Sequence, residues 1–279
     1  MEKLEAELKR AGVDVSSLAL AFTIGKHRVG RLTVEGTEAI PTWKRLRKLV
    51  PKTGHWPVLL GTDEDLELLA ENREDGEDQK PGKVLGKARR VNVPALFVRW
   101  QKVAVENARE ALNEFRETPD AEDVVVRYER MLAQDAPFQG LPRGKWPKDM
   151  WPDDYFSIPY DVLTKKPHRR IHVGLVPTMN GWEVPAFLMF GSWNACPHPE
   201  HHVAIMKYWH EQYGAEVVGI THDIVEMLVA RPPRSRTRAL ELAREQYLYC
   251  DDIVEQGMRD LDTLAATLRG GKVWYFWWD

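Results

Sequence analysis

Cysteine is nearly absent, with Cys196 and Cys250 the two thiols in 279 residues. That number excludes a disulfide-framed secreted scaffold and suits a reducing compartment. Long apolar runs are missing too. Stretches such as Leu18–Phe22 and Pro94–Val98 fall far short of the ~20 residues a membrane span needs. No surplus of one charge exists: 39 Lys+Arg face 42 Asp+Glu, a net charge of −3. A dedicated duplex-DNA binder needs a basic excess to neutralise phosphates, so nucleic acid is not the expected partner. The chain contains no G-x-G-x-x-G, no phosphate loop ending in Gly-Lys-Ser/Thr, no G-x-S-x-G and no H-E-x-x-H. Common nucleotide, serine-hydrolase and zinc-protease chemistries therefore lack their local marks. The opening MEKLEAELKRAG alternates charge around Leu4 and Leu8, which predicts an amphipathic helix closed by Gly12 and no signal peptide. The expectation is a soluble, cytoplasmic protein with no membrane segment.

What is present is a core-forming composition, 43% apolar, in a length that suits one large domain or two modest ones. Tryptophan is abundant, with 11 copies and three in the last six residues. Such clusters form core, or they form a cage or stacking surface, and core is the commoner fate of large aromatics.

Residues 1–70 read as strands and helices of a main sheet. Ser17–Ile24 and Arg28–Val34 flank a hairpin turn, and Ile40, Trp43, Leu46 and Leu49 mark a helix that Pro51 should stop. HWPVLLG, at His55–Gly61, is a buried strand candidate, and Thr62-Asp63-Glu64-Asp65 caps a helix after it. Residues 71–90 lose periodicity and read as an exposed linker. Residues 91–167 form an insertion: a long helix from Pro94, a second at Val124–Leu132, then an irregular stretch rich in proline with Trp146 and Trp151. Residues 168–279 read as an α/β core. Asn180-Gly181 predicts a hairpin between Ile171–Thr178 and Trp182–Phe190. A helix follows over Pro199–Tyr213, then strands at Ala215–Ile220 and Ile224–Ala230, helices at Arg238–Tyr249 and Asp260–Leu268, and a last strand, KVWYFWW, covered on both faces. The fold class is α/β (or α+β), a mixed sheet with helices on its faces and a helical insertion.

The run Trp193-Asn194-Ala195-Cys196-Pro197, then YWHEQYGAEVVGITHD, AREQYLYCDDIVEQG and the terminal VWYFWWD, resembles the bacterial domain-of-unknown-function family 4253. The resemblance runs from about Leu175 to Asp279, and TGHWPVLLG resembles a segment such proteins carry upstream. It implies a fold and no activity.

One constellation could carry chemistry. Cys196, His198, His201 and His202 stand at the entry of the Pro199–Tyr213 helix. That helix spans about 21 Å and the returning strand about 23 Å, so an antiparallel pair would bring His222 and Asp223 home to Cys196. Three readings stay open. His198, His201, His202 and His222 could ligate zinc, although Cys-x-His-x2-His matches no standard pattern. Cys196 could be a nucleophile with His222 as base and Asp223 as its orienter. Cys-Pro-His-Pro could simply be a rigid turn. Arg231, Arg234, Arg236 and Arg238 crowd a Pro-rich turn suited to phosphate or carboxylate, with exposed tryptophans to single-stranded nucleic acid, or to solvation alone, which the negative net charge favours. The tryptophan excess without a catalytic motif favours a non-enzymatic module that binds a protein or small molecule, with Trp193, Asn194, Arg231 and Arg234 as contacts. The alternative is a metal- or thiol-dependent enzyme using the Cys/His/Asp cluster.

Overall fold

The computed structural model describes residues 1–74, 80–149 and 154–279. In chain order it contains α1 (Glu2–Arg10), β1 (Ala19–Ile24), β2 (His27–Val34), α2 (Gly36–Thr53), β3 (Trp56–Leu59), α3 (Asp63–Glu74), α4 (Pro81–Ala88), α5 (Val93–Arg116) and α6 (Glu122–Leu132). Then come β4 (Ile171–Val176), α7 (Val184–Leu188), α8 (Pro199–Tyr213), β5 (Ala215–Ile220), β6 (Ile224–Val229), α9 (Arg236–Tyr249), α10 (Leu261–Leu268) and β7 (Val273–Trp277). The chain divides into two compact units. The first takes residues 1–91, 155–230 and 273–279, and the second takes 92–154 and 231–272.

The first unit is built on a seven-stranded mixed sheet in the order β1-β2-β4-β3-β5-β6-β7. Every neighbouring pair is antiparallel except β3 and β5, which are parallel. The central strand β3 is short and buried along its whole length, as an apolar run between two glycines requires. Helix α8 begins at Pro199 and ends where Gly214 takes a left-handed conformation (φ +62°), a backbone region that costs glycine nothing. Its Trp209 stacks on Phe276 and meets Trp274 edge-on, at ring separations of 5.5 and 5.6 Å. Trp43, Trp56, Trp209, Trp274 and Trp278 are all buried, so these tryptophans form core.

The second unit is helical. Asn92 caps α5, Ser235 caps α9 and Asp260 caps α10, each through a side-chain oxygen. A π-helical turn at Ile253–Met258, which no periodicity announced, joins α9 to α10.

Several expectations need correction. No hairpin forms at Asn180-Gly181. A 3₁₀ turn (Gly181–Glu183) and α7 replace its second strand, because β2 and β3 already occupy both edges of β4. The 71–90 linker is helical where described: α3 runs to Glu74, and α4 buries Val84 and Ala88 while Lys87 reaches Glu200 at 3.3 Å. The remainder of that linker (75–79), and Trp151, lie outside the described residues. Pro51 does not stop α2, which continues to Thr53, held by the buried Trp43, Leu46 and Val50. Strand β7 is an edge strand with one open face: Trp274 and Phe276 are buried while Tyr275 is 43% exposed.

A buried carboxyl gives the sheet an acid–base signature. Glu226 on β6 faces away from Val225 and Met227, accepting from the backbone N–H and hydroxyl of Ser157 at one oxygen. Its other oxygen has no hydrogen-bond partner among the described residues. Burial pushes Glu226 up to about 7, against the pull of the Ser157 donors. A raised acid favours the fold below its unfolded pKa, near 4.5, and that advantage is lost as pH rises through 7. Glu226→Gln should therefore gain about 2–3 kcal/mol on wild type between pH 5 and pH 8. Urea unfolding at the two pH values checks this, and an unchanged difference would refute it.

Candidate functional site

Parallel β3 and β5 send their carboxyl ends to one edge of the sheet, the edge where open α/β sheets bind ligands. Two turns meet there. After β3, Thr62 donates to Asp65 Oδ2 from its backbone N–H (2.7 Å) and its hydroxyl (2.8 Å). The Asp65 N–H returns to Thr62 Oγ1 at 3.3 Å, completing a capping box at the start of α3. Gly61 has φ +76°, and a Cβ there would lie 2.3 Å from Asp65 Oδ2, so the carboxylate can come this close only to glycine. After β5, the Thr221-His222-Asp223 turn leads into β6. Asp223 Oδ1 accepts from the Thr221 hydroxyl and Oδ2 from the Trp277 indole N–H, both at 3.0 Å.

His222 stands between these two carboxylates. Its Nδ1 lies 3.2 Å from Asp65 Oδ1 and 3.5 Å from Asp223 Oδ1. All three side chains are half-buried, and one ligand atom from each falls within 4.8 Å of the others. The Asp65 hydrogen bond raises His222, burial opposes it, and the Asp223 charge adds to the rise. Burial pushes Asp65 up, but the His222 and Thr62 hydrogen bonds outweigh it and hold the carboxyl below its usual range. One oxygen of Asp65 is tied to Thr62 and one of Asp223 to Trp277, which aims the other oxygen of each toward His222. Ligands about 2.0–2.2 Å from a tetrahedral zinc stand about 3.3–3.6 Å apart, close to the 3.2 and 3.5 Å that His222 Nδ1 keeps from the two carboxylates.

A second histidine–carboxylate pair lies alongside. His172, fully buried on β4, places Nε2 2.8 Å from Asp63 Oδ1, with Arg31 at 2.8 Å and the Thr33 hydroxyl at 3.1 Å from Nδ1. With both ring nitrogens engaged, His172 braces the turn that carries Asp65.

The convergence expected around Cys196 divides in two. His222 and Asp223 arrive beside Asp65, because β5 runs parallel to β3 and its exit turn faces the turn after β3. Cys196 instead faces His202, Sγ to Nε2 at 3.4 Å, both buried. The ring of Trp278 packs against His202 at 5.5 Å while its backbone N–H donates to Asp223, so the C-terminal strand end stands between the two groups. Burial, aided by the charge of His201, drives His202 down to about 3. An imidazole held neutral by burial offers Cys196 no positive charge that would stabilise a thiolate. His198 meets the Ser192 hydroxyl at 2.8 Å and the ring of His201 at 5.9 Å. Trp193 packs edge-on against Phe190, and Asn194 donates to the Asp279 carbonyl at 2.7 Å. Arg231 and Arg234 are exposed in the second unit. Asp65 is the member of this cluster that sequence reasoning missed. Its signal, a Thr-x-x-Asp cap directly after a buried strand, is visible but reads as local capping.

The class defined is thus a mixed α/β protein with a carboxylate–histidine cluster at the carboxyl edge of its sheet. Residues 172–279 match the model of the family described as Domain of unknown function (DUF4253). No curated protein and no solved structure matches the chain. The matched segment supplies His222, Asp223 and Trp277, whereas Asp65 comes from outside it.

Proposed function

We propose that Asp65, His222 and Asp223 hold a divalent transition metal of the zinc class, making the sheet edge a metal-dependent site. The observation that carries this reading is the spacing of 3.2 and 3.5 Å from one imidazole nitrogen to two pre-aimed carboxylate oxygens. Thr62, Thr221 and Trp277 act as the outer partners that orient metal-binding carboxylates. Three protein ligands leave a coordination position open, and an ion bound this way supplies Lewis acidity to a water or substrate oxygen. Five of the eleven tryptophans are committed to the core and so are not available to an interaction surface.

Calorimetric titration with zinc at neutral pH tests the site, with elemental analysis giving the stoichiometry. Wild type should bind one ion per chain. His222→Ala should abolish binding, while Trp277→Phe, which removes one outer hydrogen bond, should weaken it by about 10-fold or more. Asp65→Asn keeps an acceptor for Thr62 and so separates ligand loss from cap loss. Zinc binding undiminished in His222→Ala, or none in wild type, would refute the assignment.

A further inference from the structure

The second unit carries a basic surface that the metal site does not explain. Residues 142–146 lie against the start of α10: the Leu261 N–H donates to the Pro142 carbonyl at 2.8 Å, and the Gly144 N–H donates to Asp262 Oδ2 at 3.2 Å. Asp262, 1% exposed, receives Arg143 through two nitrogens at 2.7 and 3.2 Å. Arg236 approaches the same carboxylate at 3.4 Å, and its guanidinium also lies 4.7 Å over the ring of Trp146. Arg269 lies 5.5 Å from that ring. Three guanidiniums therefore gather around one indole and one buried carboxylate, and with a second carboxylate beside them one positive charge stays in excess. The other carboxylate here, Asp260, is engaged in capping α10.

We propose that this Arg143–Trp146–Arg236–Arg269 cluster binds phosphoryl groups. Arg143 is committed to Asp262, but the Arg236 side chain is 56% exposed against 1% for its carboxylate. Arg269 is exposed and makes no ion pair among the described residues. A guanidinium stacked on an indole is fixed in orientation while its N–H fork stays available, the arrangement that suits bidentate recognition of phosphate. Exposed Lys145 and Arg234, next in sequence to Trp146 and Ser235, add to the positive field. The shared chemistry is the phosphoryl oxygen, whether from a small phosphorylated molecule or from a nucleic-acid backbone.

The test is calorimetric titration of the full chain at low salt with inorganic pyrophosphate and, separately, with a short single-stranded oligonucleotide. Wild type and Arg10→Gln, a control in the first unit, should bind at least one of the two with affinity that falls as salt rises. Arg269→Gln and Arg236→Gln should each weaken binding about tenfold while unfolding at temperatures near wild type. Pyrophosphate binding alone supports a small phosphorylated ligand, and tighter oligonucleotide binding supports a backbone. Binding of neither probe overturns the proposal, as does equal binding by wild type and both arginine variants.

Discussion

Replacing His202 with glutamine flattens the acid limb of stability. In wild type the imidazole is held neutral to about pH 3 by burial among Phe190, Trp278 and Cys196. The unfolded chain takes up a proton near pH 6.5, which the folded chain refuses. The stability His202 contributes is therefore complete above 6.5 and lost as pH falls toward 3, at about 1.4 kcal/mol per pH unit and on the order of 5 kcal/mol in all. Glu226 runs the other way between 4.5 and 7. The two slopes oppose each other over their shared window, and below about pH 4.5 that of His202 is no longer offset by Glu226. Urea midpoints from pH 7.5 to 3.5 for wild type and His202→Gln decide the matter. Parallel curves would show that His202 does not resist protonation.

The second large effect is asymmetric. Arg143→Met leaves Asp262 buried, with the Gly144 N–H and the longer contact to Arg236 for company, and should cost about 3–5 kcal/mol. Asp262→Ala instead frees arginines whose side chains are 27% and 56% exposed and can turn to water. That change should cost about 1–3 kcal/mol, the worth of the charged hydrogen bonds themselves. Chemical denaturation of both variants measures the difference. A larger loss for Asp262→Ala than for Arg143→Met would contradict the argument.

Much of the frame was legible because its signals are local. Pro199 and Gly214 bracket α8, Pro94 enters α5, and HWPVLLG gives β3. The misreadings arose where local chemistry had a non-local competitor. Asn180-Gly181 has hairpin residues, but no free strand edge existed beside β4, and Val184–Leu188 closed into a helix instead. Helix α4 was hidden because its glycines and lysines dilute an apolar stripe that only packing reveals. The site was half legible. His222 and Asp223 were found from the turn after β5, but their partner was sought at Cys196, the chemistry nearest in sequence. Asp65 lies 157 residues from His222, and only the parallel pairing of β3 with β5 brings them together.

That pairing has a consequence for any attempt to study residues 172–279 in isolation. The fragment would carry β4 on one side and β5 on the other with no ladder joining them, since the strand that knits them comes from residue 56 onward. Each would present a bare row of amides and carbonyls, an invitation to self-association. Co-expression with an N-terminal piece containing β3 should restore a soluble, monodisperse product.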